Sequence, residues 1–388
     1  MACGSTVNDP KKPVIGDTTT PSACDPNDPK IPCFKDKAEP CDGYKSDQGD
    51  GTPFPGDELC LKPPSNGFQL HVGPSEDDFS DPDKLQPWIL PAGGFPGQGP
   101  DTNWCYYMKT PNDEMVYSSE YYAHMRPGSH HYIMFGVKGD VPDSTIPSSC
   151  AQRNAEIGGG ANFLSGATRE VQNASMFGDA PEDQGLGSPV DPHQQLNMNL
   201  HFFNVTDHPV LMELWVNMID KPADEVTNIV KAIEWLGGLG MKIPPHQSQT
   251  LQSPSSCASP TDIPEVRILG VTAHMHANTV RVSMYHQAAG STDKELVFDD
   301  FSWSEPTVWL FNSKLTNPTP DRTASKSGAA KSGVFTVTPQ DKFSWECQVD
   351  NKTDSTLVFS DKAITGEMCN VFGMYASPVA KNPWNCYF

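Results

Sequence analysis

From Phe68 onward the chain alternates short apolar runs with breaks of Pro, Gly and Asp. Phe68-Gln69-Leu70-His71-Val72, Trp104-Cys105-Tyr106-Tyr107-Met108, Tyr132-Ile133-Met134-Phe135-Gly136-Val137 and Val210-Leu211-Met212-Glu213-Leu214-Trp215-Val216 come first. Val266-Arg267-Ile268-Leu269-Gly270-Val271, Val297-Phe298, Gly333-Val334-Phe335-Thr336-Val337 and Val371-Phe372-Gly373-Met374-Tyr375 follow. Many short strands between turn signals predict an all-β chain of sandwich or barrel type. About 320 residues of this texture exceed one sandwich, so two are expected in tandem. Lys221-Pro222-Ala223-Asp224 divides them into 64–222 and 223–388. Val226 to Leu236 is ambiguous, because its apolar positions 226, 229, 230, 233 and 236 also fit a helix. The Gly- and Pro-rich section from Ser144 to Pro192 reads as loops.

Residues 1–63 differ in kind: rich in Pro, Asp, Gly and Lys, they cannot bury a core of their own. They hold Cys24, Cys33, Cys41 and Cys60, so disulfides are expected to staple this extension, and its expected role is a tether. The eleven cysteines include no C-x-x-C pair, and their wide scatter suggests an oxidising compartment. Ala2-Cys3-Gly4-Ser5 looks like the end of a bacterial lipoprotein signal with Met1 added ahead of it. On that reading Cys3 carries a lipid, the only expected membrane contact, and the protein is exported to the periplasm or cell surface. A net charge of −21, from 48 acidic and 27 basic side chains, argues against nucleic acid as a partner. Sequons at Asn173, Asn204 and Asn351 matter only in a eukaryotic secretory route.

Candidate chemistry centres on Val271-Thr272-Ala273-His274-Met275-His276-Ala277-Asn278-Thr279-Val280-Arg281-Val282, which reads as one strand. Side chains two apart on a strand share a face, so His274 and His276 converge as a two-point grip on a metal. His130-His131 precedes an apolar strand, and adjacent strand residues reach one metal only at an irregularity, which Pro127-Gly128 could supply. His201, closing the alternating run from Leu196, could add a third imidazole, and three histidines suit copper or zinc. For the His274–His276 pair the third ligand is open among His246, His286 and Met368. A thioether is soft and would favour Cu(I). The remaining histidines, His71, His124, His193, His208, His246 and His286, read as structural, with His124 close enough in sequence to His130 to support it.

Ser129-His130-His131-Tyr132-Ile133-Met134-Phe135-Gly136, His201, His274-Met275-His276 and Glu367-Met368-Cys369-Asn370 resemble, in order and rough spacing, motifs of the ascorbate-dependent type II copper monooxygenases. This is the family of peptidylglycine α-hydroxylating monooxygenase and dopamine β-monooxygenase, and the likeness covers roughly residues 85–388. It implies two jelly-roll-like antiparallel β-sandwiches, each with one copper, facing across a solvent-filled cleft. It makes His130, His131 and His201 an electron-storing site, and His274, His276 and Met368 the catalytic site that meets O₂ and substrate. It implies the bridges Cys105–Cys150, Cys257–Cys386 and Cys347–Cys369. Thr272, Asn370 and Phe372 fall at substrate-contacting positions. The peptide-amidating member has Arg and Tyr where Thr272 and Phe372 stand, which disfavours a peptide carboxylate as substrate.

The expectation is therefore a copper- and ascorbate-dependent monooxygenase acting with O₂ on a small molecule or peptide. The alternative is a non-catalytic copper-binding or copper-carrying surface lipoprotein with the same ligands. An adhesion module with idle histidines is the third class, and it requires that no stoichiometric copper be bound.

Overall fold

The computed structural model describes residues 38–388 except 94–100, 138, 140, 151–161, 168–170, 175–179, 205, 255–256, 261–262, 305 and 361. Cys3, Cys24 and Cys33 lie outside the described residues. The chain is nearly all β, arranged as sandwiches. One sheet runs through both halves of the molecule. Its order is Gly67–Val72, Leu214–Lys221, Val116–Met125, Leu186–Val190, Asn228–Leu236, Cys369–Ser377, Val266–Met275 and Trp309–Leu310. The halves join where Leu186–Val190 pairs in parallel with Asn228–Leu236, matching Asn228 to Leu186 and Ile229 to Gly187.

Each half adds a second sheet. In the first half it comprises Ser148–Ser149, Asp101–Lys109, Gln195–Phe203, Ser129–Gly136 and Asn162–Ala167. In the second it is built on Ser248–Gln252, Lys342–Asp350, Thr279–Gln287, Glu295–Asp300 and Gly328–Ala329. Val226 to Leu236 resolves as a strand, because Ile229 to Trp235 pair antiparallel with Ser377 to Val371. Pairing between distant strands, with β-branched residues against it, decides what periodicity left open. The section from Ser144 to Pro192 is not all loop: it contributes the Asn162–Ala167, Val171–Ala174 and Leu186–Val190 strands.

The first core does not stop at residue 222. Val230, Ala232, Leu269, Phe372, Met374 and Ala376 pack into the cluster of Leu70, Met125, Leu200 and Trp88. The second core lies on the other face of the same strands, with Ile233, Trp235, Ala273 and Val371. Cys369–Ser377 is consequently buried at every position and reads as a continuous apolar run. Cys347–Cys369 bridges the two sheets of the second sandwich. Cys105–Cys150 and Cys257–Cys386 are also bonded. Together with Cys41–Cys60 these disulfides are the mark of an oxidising compartment, not the cytosol. Among the described residues no helix is long and apolar enough to cross a membrane.

The described part of the extension is docked, not dangling. Leu59, Cys60 and Leu61 bury against Tyr122, Trp215 and Ile219 on the outer face of the long sheet. A role as a mere tether does not describe residues 38–63.

Candidate metal centre

The first ligand group is made by a β-bulge. Ser129–Gly136 pairs with Gln195–Phe203 so that His131 faces His201 and Ser129 faces Phe202, leaving His130 as the extra residue. A bulge bends its strand and re-aims a side chain, which lets adjacent histidines reach one point. The turn ahead of it needs Gly128 at φ 90°, a left-handed value costly for any residue with a Cβ. The ligand nitrogens of His130, His131 and His201 all lie within 4.8 Å of one another.

The second group sits at a hairpin. The expected single strand ends at Met275, turns through His276–Asn278 and restarts at Thr279. The Thr279 N–H donates to the His276 carbonyl at 3.0 Å. His274 and His276 still converge, with ring centroids 5.5 Å apart. Met368 directly precedes the Cys369–Ser377 strand, whose first pair is Cys369 with Met275, so its backbone lies beside that of His276.

Sequence reasoning missed the residue that ties these together. Glu367, fully buried, accepts the His276 N–H at 2.6 Å and the Met368 N–H at 2.9 Å through Oε1. Its Oε2 accepts the Asn278 N–H at 3.0 Å. One carboxylate thus fixes the backbone on both arms of the site. Burial pushes its pKa up to about 7 against the pull of those N–H groups.

The two groups are not separated by a cleft. His131 and His274 have ring centroids 4.9 Å apart, and His201 and His276 6.2 Å. With His131–His201 at 4.9 Å and His130–His201 at 5.1 Å, five imidazoles from both halves form one cluster. The expected solvent-filled gap is closed because the first half's second sheet packs directly on the long sheet's strands. Desolvation, then repulsion among the rings, holds His130, His131 and His276 well below the usual imidazole range. The same two causes push His274 down to about 4. At neutral pH these rings are uncharged, the form that binds a metal.

An apolar recess adjoins the cluster. Phe163, Ile133, Val271, Val308, Phe372 and Thr272 line it beside His131 and His274, and its volume is about 40 Å³. Phe163 stacks on Phe372 at 5.6 Å, and Phe372 meets the His274 ring edge-on at 5.7 Å. Asn370 does not join them: its Oδ1 accepts the Gly237 N–H at 3.2 Å. Trp303, from the second half, packs on His130 at 5.5 Å. A Phe in a Gly-rich section and a Trp in a turn give no local signal of such positions.

The other histidines are engaged elsewhere. His286 pairs with Asp341 at 3.1 Å, and His246 with Asp354 at 3.0 Å. His124 turns away from His130, and its Nδ1 donates to the Leu59 carbonyl at 2.8 Å. The His276 Nδ1 is buried without a hydrogen-bond partner, a polar atom left for an external ligand to satisfy. Neutral imidazoles, that open nitrogen and a neighbouring thioether residue fit copper by donor type. No family model and no curated protein sequence matches the chain.

Proposed function

We propose that the chain is a metalloprotein of two β-sandwiches whose ligands meet at their junction. More particularly, it is a copper-dependent monooxygenase that hydroxylates a substrate C–H bond with O₂ and an external reductant such as ascorbate. The observation that carries this reading is the cluster of five imidazoles drawn from both halves, four of them buried and His130 half-buried. Copper, when bound, supplies the electron transfer and O₂ activation by which R–H, O₂, two electrons and two protons become R–OH and water. His130, His131 and His201 hold the electron-storing ion; His274, His276 and Met368 hold the ion nearest the substrate. Glu367 orients His276 and Met368 through their backbones. None of the recess's lining side chains is a carboxylate or a primary cation, so it suits an uncharged C–H donor. The protein is exported, as its disulfides favour.

The small recess and the direct packing of the two histidine groups favour one second reading, a copper carrier with the same ligands and no turnover. Copper stoichiometry and Cu(I)–sulfur X-ray absorption, on wild type beside Met368→Ile, test the ligand set. Two coppers, with a sulfur signal that vanishes in the variant, are expected; one copper or no sulfur signal sinks the assignment of Met368. Ascorbate-driven O₂ consumption that rises with an added uncharged substrate separates enzyme from carrier.

A further inference from the structure

The two halves repeat each other at several matched positions. Asn204 and Asn351 each follow a long strand, Gln195–Phe203 and Lys342–Asp350. The Asn204 Nδ2 donates to the carbonyls of Leu90, Pro91 and His208, and its Oδ1 accepts the N–H and O–H of Thr206. The Asn351 Nδ2 donates to Ile243, Pro244 and Ser355, and its Oδ1 accepts the same two groups of Thr353. Ala123-His124-Met125 and Ala273-His274-Met275 both end a strand of the long sheet. Met125 pairs with Leu214 as Met275 pairs with Cys369, each opening the neighbouring strand.

This register makes the metal-centre positions comparable. His274, His276 and Met368 in the second half answer to His124, Arg126 and Glu213 in the first. The bulge repeats too: Arg281 faces Gln348 and Thr279 faces Val349, leaving Val280 as the extra residue, just as His130 is. His130, His131 and His201 therefore answer to Val280, Arg281 and Gln348. At two of these positions a histidine answers to an arginine, His276 to Arg126 and His131 to Arg281, and each arginine is paired with a glutamate. Arg126 Nε donates to Glu213 Oε2 at 2.9 Å, both fully buried, and Arg281 donates to Glu346 at 3.1 Å.

We propose that the His124–Arg126–Glu213 pocket is the first half's copy of the His274–His276–Met368 metal pocket, with a guanidinium held where the copy binds an ion. The N-terminal segment is the cover of that filled pocket. Tyr44 donates its hydroxyl to Glu213 at 2.5 Å, Arg126 donates to the Pro55 carbonyl at 3.1 Å and to Asp57 at 2.8 Å, and the Leu59 carbonyl receives His124. It occupies the outer face that, in the second half, the first half itself covers. A head-to-tail stack of like units would otherwise continue, and the segment closes one end of it. Among the described residues the histidines that cluster are those of the two pockets at the junction.

The inference rests on the metal reading only for the word metal, and the test separates the two. Thermal unfolding of chelator-treated protein is compared for His276→Arg, Met368→Glu and the double variant. His276→Arg alone buries an unpaired cation and should lower Tm by roughly 10 °C. The double variant should recover at least half of that loss, by re-creating the first half's pair without any metal. A double variant no more stable than the sum of its singles, or one that does not fold, overturns the equivalence. In the opposite direction Arg126→His/Glu213→Met should bind one more Co(II) per chain than wild type, read by its visible absorption. A folded variant with no added ion overturns the first pocket's ancestry as a metal site. Wild type that binds no copper while the cycle still shows recovery removes the proposed function and leaves the repeat standing.

Discussion

In the first half, the turn after Met125 is closed by a full ion pair, Arg126 with Glu213, with cation–π contacts to Tyr44 and Trp215. In the second half the equivalent turn after Met275 is closed by Glu367, which accepts three backbone N–H groups, while burial and mutual repulsion keep the neighbouring imidazoles uncharged. Both turns bury polar groups, the first closed by opposite charges and the second lined by neutral imidazoles. A charge pair that satisfies itself is structure; a set of neutral donors that does not is a site. The desolvation cost of Arg126 is offset by Glu213, Asp57 and two carbonyls, which removes any use for an external ligand.

The largest effect that would sharpen this contrast is Arg126→Met. Leaving Glu213 buried without its cation should cost about 3–5 kcal/mol by chemical denaturation, with or without metal. Added copper should not restore it; if copper does, the first pocket is not the self-satisfied one.

Glu234 tests the neutral character of the second half's outer face. It pairs across the sheet with Phe372, as Thr272 does, and burial pushes its pKa up to about 7. Its folded pKa exceeds the unfolded value, so between the two the folded state holds an extra proton and loses stability as pH rises. Glu234→Gln should therefore add on the order of 3 kcal/mol above pH 7 and almost nothing near pH 4.5. A loss of stability above pH 7 would mean that the carboxylate is paired.

The smallest effect belongs to Glu367→Gln. The amide keeps an oxygen for His276 and Met368 but sets its NH₂ against the Asn278 N–H, at a cost of about 1–2 kcal/mol. First-group copper should remain, while Cu(I)–sulfur absorption from Met368 weakens. Equal loss at both groups would show that Glu367 supports the fold generally.

Much of this was legible from the sequence. Short alternating runs such as Gly67–Val72 and Ser129–Gly136 fix all-β structure, because alternation is a local property of a half-buried strand. The resemblance to copper monooxygenases supplied the histidines that the fold brings together and the three bridges that the fold forms. It also carried a solvent-filled gap between the two ligand groups, where the described histidines instead lie in ring contact. Asn370, at a substrate-contacting position by likeness, is spent on Gly237.

The sequence by itself determined the all-β character of the chain, through the local alternation of its short apolar runs. Tertiary structure alone decided that His130 is a bulge, that Phe163 reaches Phe372, that the extension covers His124, and that both histidine groups touch. Those outcomes rest on register between strands far apart in the chain. A one-residue slip there turns every side chain to the other face, and no local pattern records it.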